Sequence, residues 1–201
     1  MNPSPLPELA GLTDEPVARR TLEAARSALV VVDIQEKLLP AVQRRDELVR
    51  NCQLLIRLAG ILEIPVLLTT QYSRGLGATV PEIAELLPGV SAIDKLSFGC
   101  FGEESFRTSV HALPGHRTDI LLCGMESHIC VMQTALGALG CGYVVHVAAD
   151  AISSRTELNW KLGIDRMAAA GCVISSTEMM MYELLRKSGT KPFKEMLQYI
   201  K

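Results

Sequence analysis

Residues 119–132 read DILLCGMESHICVM, and this stretch joins a short apolar run to a segment with helical periodicity. The run at 120–123 has the length of a buried strand, and Gly124 interrupts it. Ser127 is then placed to act as the N-cap of a helix. Cys130 falls in the first turn of that predicted helix, where unpaired N–H groups and the helix dipole favour a thiolate. The stretch therefore predicts a nucleophile, with a small residue that only packs the helix start as the alternative.

Short apolar runs and helical patterns alternate along the rest of the chain. Because the runs are continuously apolar, they are typical of parallel strands that helices cover on both faces. We therefore predict a three-layer α/β fold with a doubly wound, six-stranded parallel sheet. An N-terminal segment at 1–26 precedes a single domain at 27–201. The predicted strands are 28–32, 66–69, 90–94, 118–123, 143–148 and 172–174, and the predicted helices include 81–87, 103–111, 156–169, 176–187 and 192–200.

The composition argues against several classes of partner. The 201 residues carry 20 Lys and Arg against 22 Asp and Glu, so neither nucleic acid nor a membrane surface is expected as a partner. No apolar run approaches the length of a membrane span, and residues 1–26 lack the apolar core of a secretory signal.

The six cysteines form no C-x-x-C pair, and the four histidines show no spacing typical of metal ligands. We therefore predict a cytoplasmic protein with reduced thiols.

Chemically reactive side chains follow three of the predicted strands. Asp33 follows the first strand, Lys95 the third and Cys130 the fourth. In doubly wound sheets, ligands bind outside the carboxyl ends of the strands, so these residues are expected at one rim. There a cation can stabilise a thiolate, and a carboxylate can take the thiol proton and later return it. Taken singly, Asp33 is equally typical of a helix cap, Lys95 of a solvated surface and Asp150 of a loop anchor.

Three motifs in this order resemble the isochorismatase-like cysteine hydrolases, a family that includes nicotinamidases, N-carbamoylsarcosine amidases and isochorismatases. They are ALVVVDIQ (28–35), the lysine of AIDKLSFGCF (92–101) and GMESHICV (124–131). The loop QYSRGLGATVPEI (71–83) is similar to the subgroup of isochorismatase-domain-containing proteins. The resemblance implies a sheet order of 3-2-1-4-5-6, which sets the first strand beside the fourth. It also implies a homo-oligomer.

Roles for individual residues follow from the same resemblance. It implies that Cys130 is the nucleophile, that Asp33 accepts and returns the proton, and that Lys95 stabilises the thiolate. It further implies a cis peptide bond between Met125 and Glu126. The backbone N–H groups of Glu126 and Cys130 would then form an oxyanion hole.

Two departures from the family narrow the expected chemistry. Metal-binding nicotinamidases carry histidines where this chain has Gln35 and Gln71, so we expect neither a metal nor another cofactor. We assign both glutamines to the substrate pocket. Phe98 and Phe101 could wall an apolar part of that pocket, or they could simply pack. Isochorismatases that cleave a vinyl ether typically lack the cysteine, so Cys130 favours acyl transfer.

We therefore predict a hydrolase that cleaves a small amide or carbamoyl C–N bond through a thioester on Cys130. Two alternatives stay open. One is a vinyl-ether hydrolase of the isochorismatase type. The other is a catalytically idle binding or scaffold protein with the same fold, in which Cys130 and Cys100 would sense oxidants.

Overall fold

Six parallel strands form one sheet in the computed structural model, which describes residues 21–200, so most of the predicted N-terminal segment lies outside the described residues. The strand order is β3-β2-β1-β4-β5-β6, as predicted. β1 runs beside β4 from Ser27 opposite Asp119 to Val32 opposite Gly124, so their carboxyl ends coincide. The strands are β1 (Ser27–Val32), β2 (Val66–Gln71), β3 (Ile93–Lys95), β4 (Asp119–Met125), β5 (Val144–Ser153) and β6 (Val173–Ser175).

Helices cover both faces of the sheet and complete three layers. Side chains of β1 alternate between two apolar cores, with Leu29 in one and Val30 in the other, because successive residues of a strand point to opposite faces. The α-helices of the described chain are α1 (Arg45–Ile61), α2 (Ser73–Leu76), α3 (Pro81–Ala84), α4 (Glu104–His111), α5 (Met132–Gly140), α6 (Glu157–Ala169), α7 (Thr177–Leu185) and α8 (Lys191–Met196). Helices α1, α3, α7 and α8 contribute to the first core, and α4, α5 and α6 to the second.

All six strands differ from their predicted bounds, and four of them, β1, β2, β4 and β6, do so by only one or two residues at an end. β3 begins at Ile93 rather than at residue 90, and β5 continues to Ser153. Asp150 therefore lies within β5 instead of following it. Its Oδ1 accepts hydrogen bonds from the N–H and the hydroxyl of Thr177, at 2.7 and 2.9 Å, which ties β5 to the start of α7. Asp150 thus has the anchoring role that the sequence predicts for it.

Gly124 allows the close approach of β4 to β1. Its φ is +119°, and a Cβ atom at this position would lie 2.1 Å from the carbonyl oxygen of Val32. A side chain is therefore excluded both by the backbone conformation and by a neighbouring main chain that has no room to move.

Replacing Gly124 with alanine should lower the free energy of unfolding by about 3 kcal/mol or more, because the methyl group overlaps the backbone of β1. Urea denaturation measures the change. Gly60→Ala is the matched control, since Gly60 lies in α1 with nothing within 4 Å of the added Cβ. We expect that control to raise stability by about 0.5–1 kcal/mol. Equal effects of the two substitutions would contradict this account of Gly124.

Candidate active site

A buried ion pair joins the ends of β1 and β3. Asp33 directly follows β1 and has a left-handed backbone, with φ +52°. Lys95 is the last residue of β3, and its Nζ lies 2.6 Å from Asp33 Oδ2, with both side chains inaccessible to solvent. Burial alone would lower the pKa of Lys95, but the charge of Asp33 opposes it and the net shift is upward. The ammonium is therefore held in its charged form.

All three protons of the Lys95 ammonium have acceptors. Besides Asp33, it donates to Gln71 Oε1 at 2.6 Å and to the carbonyl oxygen of Phe98 at 3.0 Å. Gln71 Nε2 donates in turn to the carbonyl oxygen of Leu96 at 3.0 Å. A buried ion pair is tolerated only when its remaining donors and acceptors are satisfied. Both ends of the Gln71 amide are thus engaged, one with Lys95 and one with the main chain, and its place in the substrate pocket stays a prediction.

Gln35 binds main-chain groups of neighbouring segments. Its side chain is fully buried, and its place in the substrate pocket stays a prediction. Its Oε1 accepts from the N–H of Gln71 at 2.7 Å, and its Nε2 donates to the carbonyl oxygens of Gln71 and Gly77 at 3.1 and 2.8 Å. Gln35 therefore clamps the end of β2, the strand that carries Gln71 toward Lys95. Sequence alone did not show this role, because it depends on main-chain groups about 40 residues away.

The thiol of Cys130 is the third member of the candidate active site, beside Asp33 and Lys95. Cys130 lies in a π-helical turn, Ser127–Val131, and is 6% exposed. Burial and the neighbouring charge of Asp33 raise its pKa to about 12, against the opposing effect of Lys95, and a hydrogen bond to Asp33 adds to the rise. At neutral pH the sulfur is therefore a thiol paired with the carboxylate. The thiolate expected from the helix dipole is wrong, because burial and an adjacent anion outweigh a dipole of about half a charge.

The turn before Cys130 has a different origin from the predicted cap. Ser127 does not cap a helix: its hydroxyl lies 2.7 Å from that of Ser154, which follows β5. His128 Nδ1 lies 3.0 Å from the same Ser154 hydroxyl. A Cβ on Gly163 of α6 would lie 2.8 Å from the carbonyl oxygen of Ser127, so α6 packs directly on the turn. Tertiary contacts with β5 and α6, rather than a local cap, therefore fix the approach to Cys130.

The peptide bond between Met125 and Glu126 is cis, as the resemblance implies. The carbonyl oxygen of Glu126 accepts from the N–H groups of Ile129 and Val131, at 3.0 and 3.1 Å. Its carboxylate lies 3.0 Å from Arg155 Nε. The use of the Glu126 and Cys130 N–H groups as an oxyanion hole stays a prediction.

The two phenylalanines after β3 have separate surroundings. Phe98 is 54% exposed and contributes its carbonyl oxygen to Lys95, and the use of its ring to wall a pocket stays a prediction. The ring of Phe101 packs against Phe106 and Tyr143, with centroids 5.2 and 5.8 Å apart. Phe101 therefore packs against these two rings, and its place in the substrate pocket stays a prediction.

Thr69 and Cys100 also belong to this centre, and neither was assigned to it as a catalytic or binding residue from sequence. Thr69 Oγ1 donates to Asp33 Oδ1 at 2.7 Å, and Cys100 Sγ lies 3.9 Å from Thr69 Oγ1. The one feature of the sequence that could have placed Thr69 in this centre is its position two residues before Gln71. On a continuous strand, that spacing puts both side chains on the same face.

Over residues 21–200, no group of three or more His, Cys, Asp or Glu side chains is arranged to hold a metal ion. Within the same residues, no helix has both the length and the apolar character needed to cross a membrane.

Comparison with known proteins identifies relatives along most of the chain. The isochorismatase domain model matches residues 27–179. The chain is 36% identical to the secreted isochorismatase effector Isc1 of Phytophthora sojae over 87% of its length and 84% of the effector. It is also 36% identical to isochorismatase domain-containing protein 2 of Rattus norvegicus, over 87% of its length and 81% of that protein.

Solved structures show the same fold. The MAR1 ribonuclease of Caenorhabditis elegans superposes with a TM-score of 0.84 at 32% identity, over 90% of this chain and 92% of the other. YcaC of Pseudomonas aeruginosa, determined with hexane-2,5-diol and covalent acrylamide, gives 0.83 at 27% identity over 90% and 92%. YcaC of Escherichia coli, described as an octameric hydrolase of unknown specificity, gives 0.78 at 28% identity over 83% of each chain.

Proposed function

This chain belongs to the isochorismatase family and has its hydrolase fold, and on that premise we propose that it is a cysteine hydrolase of small amide or carbamoyl C–N bonds. The observation that supports the proposal most directly is the shared burial of a thiol, a carboxylate and an ammonium at the carboxyl ends of β1, β3 and β4. In this proposal Cys130 is the nucleophile and Asp33 carries the proton. Lys95 stabilises negative charge beside both.

The first half of the reaction forms a thioester. As the sulfur of Cys130 attacks the carbonyl carbon, its proton passes to Asp33, to which it is already hydrogen bonded. A thiol with a raised pKa suits this step, because the proton leaves only when a carbon accepts the sulfur. The N–H groups of Glu126 and Cys130 would receive the oxyanion. The C–N bond then breaks, and Asp33 returns its proton to the leaving amine.

The second half hydrolyses the thioester. Asp33 takes a proton from water as the water oxygen attacks the acyl carbon. The C–S bond breaks, and the proton returns from Asp33 to the sulfur of Cys130. The acid is released, and the starting thiol and carboxylate are restored.

Two relatives support parts of the proposal. Covalent acrylamide in YcaC of Pseudomonas aeruginosa supports a reactive nucleophile in the family. The octamer of Escherichia coli YcaC supports a homo-oligomer here, and exposed apolar side chains beside the candidate centre, Tyr72, Leu96 and Phe98, are suited to a contact between copies. A small-molecule substrate, a cytoplasmic location and the absence of nucleic-acid and membrane partners stay predictions from the sequence.

The test is amine or ammonia release from a panel of small amides and carbamoyl compounds, followed by acid quenching and mass spectrometry of the protein. We expect an acyl adduct on Cys130 during turnover. An RNA oligonucleotide and isochorismate are included as competing substrates. Cleavage of isochorismate without an adduct would favour the vinyl-ether alternative, and cleavage of RNA would contradict the substrate class. No turnover of any compound would favour the idle scaffold.

A further inference from the structure

We infer that Thr69 is a positioning residue that sets the orientation of the Asp33 carboxylate, an inference that rests on the proposed function. Thr69 lies on β2, between the strands that carry Asp33 and Lys95, and it is fully buried. It holds Asp33 twice. Its hydroxyl donates to Asp33 Oδ1 at 2.7 Å, and its carbonyl oxygen accepts the N–H of Asp33 at 3.2 Å.

The two oxygens of the carboxylate are divided between two strands. Oδ1 accepts from Thr69 on β2, and Oδ2 accepts from Lys95 on β3. The carboxylate cannot turn about its own axis without breaking one of these bonds. Because hydrogen bonds are directional, the lone pair that receives the Cys130 proton is held in one place.

Cys100 fixes the hydroxyl of Thr69 in turn. Its thiol is fully buried and lies 3.9 Å from Thr69 Oγ1, while its N–H donates to Thr134 Oγ1 on α5 at 3.0 Å. Burial and the charge of Asp33 raise the pKa of Cys100 to about 11, so it is a thiol and a donor at neutral pH. With Cys100 donating to its oxygen, the Thr69 hydroxyl has its own proton free for Asp33. Cys100 thus supports the orientation of the base and is not a second nucleophile.

The neighbouring residue on β2 provides a matched control. Thr70 is also buried, and its hydroxyl donates to Asp94 Oδ1 at 3.0 Å. Successive residues of a strand face opposite sides, so Thr70 makes the same kind of bond away from Asp33. Thr69→Val and Thr70→Val each remove one hydroxyl from β2 at nearly constant volume. They differ in which aspartate loses its donor.

We expect Thr69→Val to lower kcat by about 10- to 100-fold, because the lost bond is to a charged group whose placement sets the reaction geometry. KM should change by less than about twofold, since Thr69 does not contact the substrate. Thr70→Val should leave both constants within about twofold, and Thr69→Ser, which keeps the hydroxyl, should restore most of kcat. If Thr69→Val does not fold, Thr69→Cys replaces it, because a thiol is a weak donor. Equal losses in both valine variants, or no recovery with serine, would overturn the inference.

A second measurement separates this inference from the proposed function. If the unmodified protein cleaves none of the amides, the proposed function fails. The orientation of Asp33 is then followed by the ¹³C NMR shift of its carboxyl carbon. Thr69→Val should move that resonance and Thr70→Val should not. An unmoved resonance in Thr69→Val would overturn the positioning role even if turnover were present.

Discussion

Cys130→Ala should lower turnover by about 10⁴-fold or more, because no other group in the proposed mechanism can form the thioester. The fold should survive. Asp33 keeps its bonds to Thr69 and Lys95 in this variant, so no buried charge is left without a partner. Amine release measures the loss, and thermal unfolding followed by circular dichroism checks the fold.

Cys141→Ala is the control for that experiment. Cys141 is the residue just after α5, at the opposite end of this helix from Cys130, and it is only partly buried. We expect its replacement to leave turnover unchanged. Undiminished turnover in a folded Cys130→Ala protein would rule out the thioester mechanism, whatever the control shows.

Asp33→Asn should change turnover and thiol reactivity in opposite directions. Turnover should fall by about 10²- to 10⁴-fold, since asparagine cannot carry the proton. The pKa of Cys130 is raised by burial and then by the charge of Asp33, so removing that charge lowers the pKa. At any pH below the original pKa the thiolate fraction then rises. Alkylation by iodoacetamide between about pH 7 and 9 should accordingly become faster.

Removing the positive charge of Lys95 should have the opposite effect on the reactivity of the Cys130 thiol. The ammonium lowers the pKa of Cys130, so Lys95→Met should raise the pKa further and slow alkylation. This variant also leaves the Asp33 charge buried and unpaired, and a loss of stability of about 3–5 kcal/mol is expected. Mass spectrometry locates the label, and urea denaturation measures stability.

Slower alkylation in Asp33→Asn than in the unmodified protein would show that Asp33 favours the thiolate, and would contradict the expected effect of Asp33 on the pKa of Cys130.

The resting state of the centre bears on how the proposed chemistry would be controlled. A free thiolate reacts with many electrophiles, whereas a buried thiol paired with a carboxylate reacts when a bound carbonyl is in place. The pairing of Cys130 with Asp33 therefore favours selectivity over general thiol reactivity. It also argues against the oxidant-sensing alternative, since susceptibility to oxidation follows thiolate character and exposure.

The architecture could be predicted from the sequence because the patterns that indicate strands and helices extend over only a few neighbouring residues. Continuous apolar runs such as that of β1 indicate strands buried on both faces, and their alternation with helical patterns requires a parallel sheet. Asp33 and Lys95 could be picked out because each lies directly after the predicted end of a strand, and Cys130 because it lies in the segment that follows the fourth strand. The resemblance supplied the strand order, and the structure has that order.

Only the tertiary structure decided which groups meet and in what state. The contacts of Gln35 and Phe101 lie on other elements, and Thr69 entered the centre through one hydrogen bond between β2 and the end of β1. The thiol state of Cys130 likewise depends on burial and on a carboxylate 97 positions earlier in the chain. Periodicity and capping patterns act over a few residues, whereas hydrogen-bond partners and pKa shifts depend on distances in space. For that reason the sequence determined the strands and singled out the candidate residues, and only the folded chain determined which groups those residues meet.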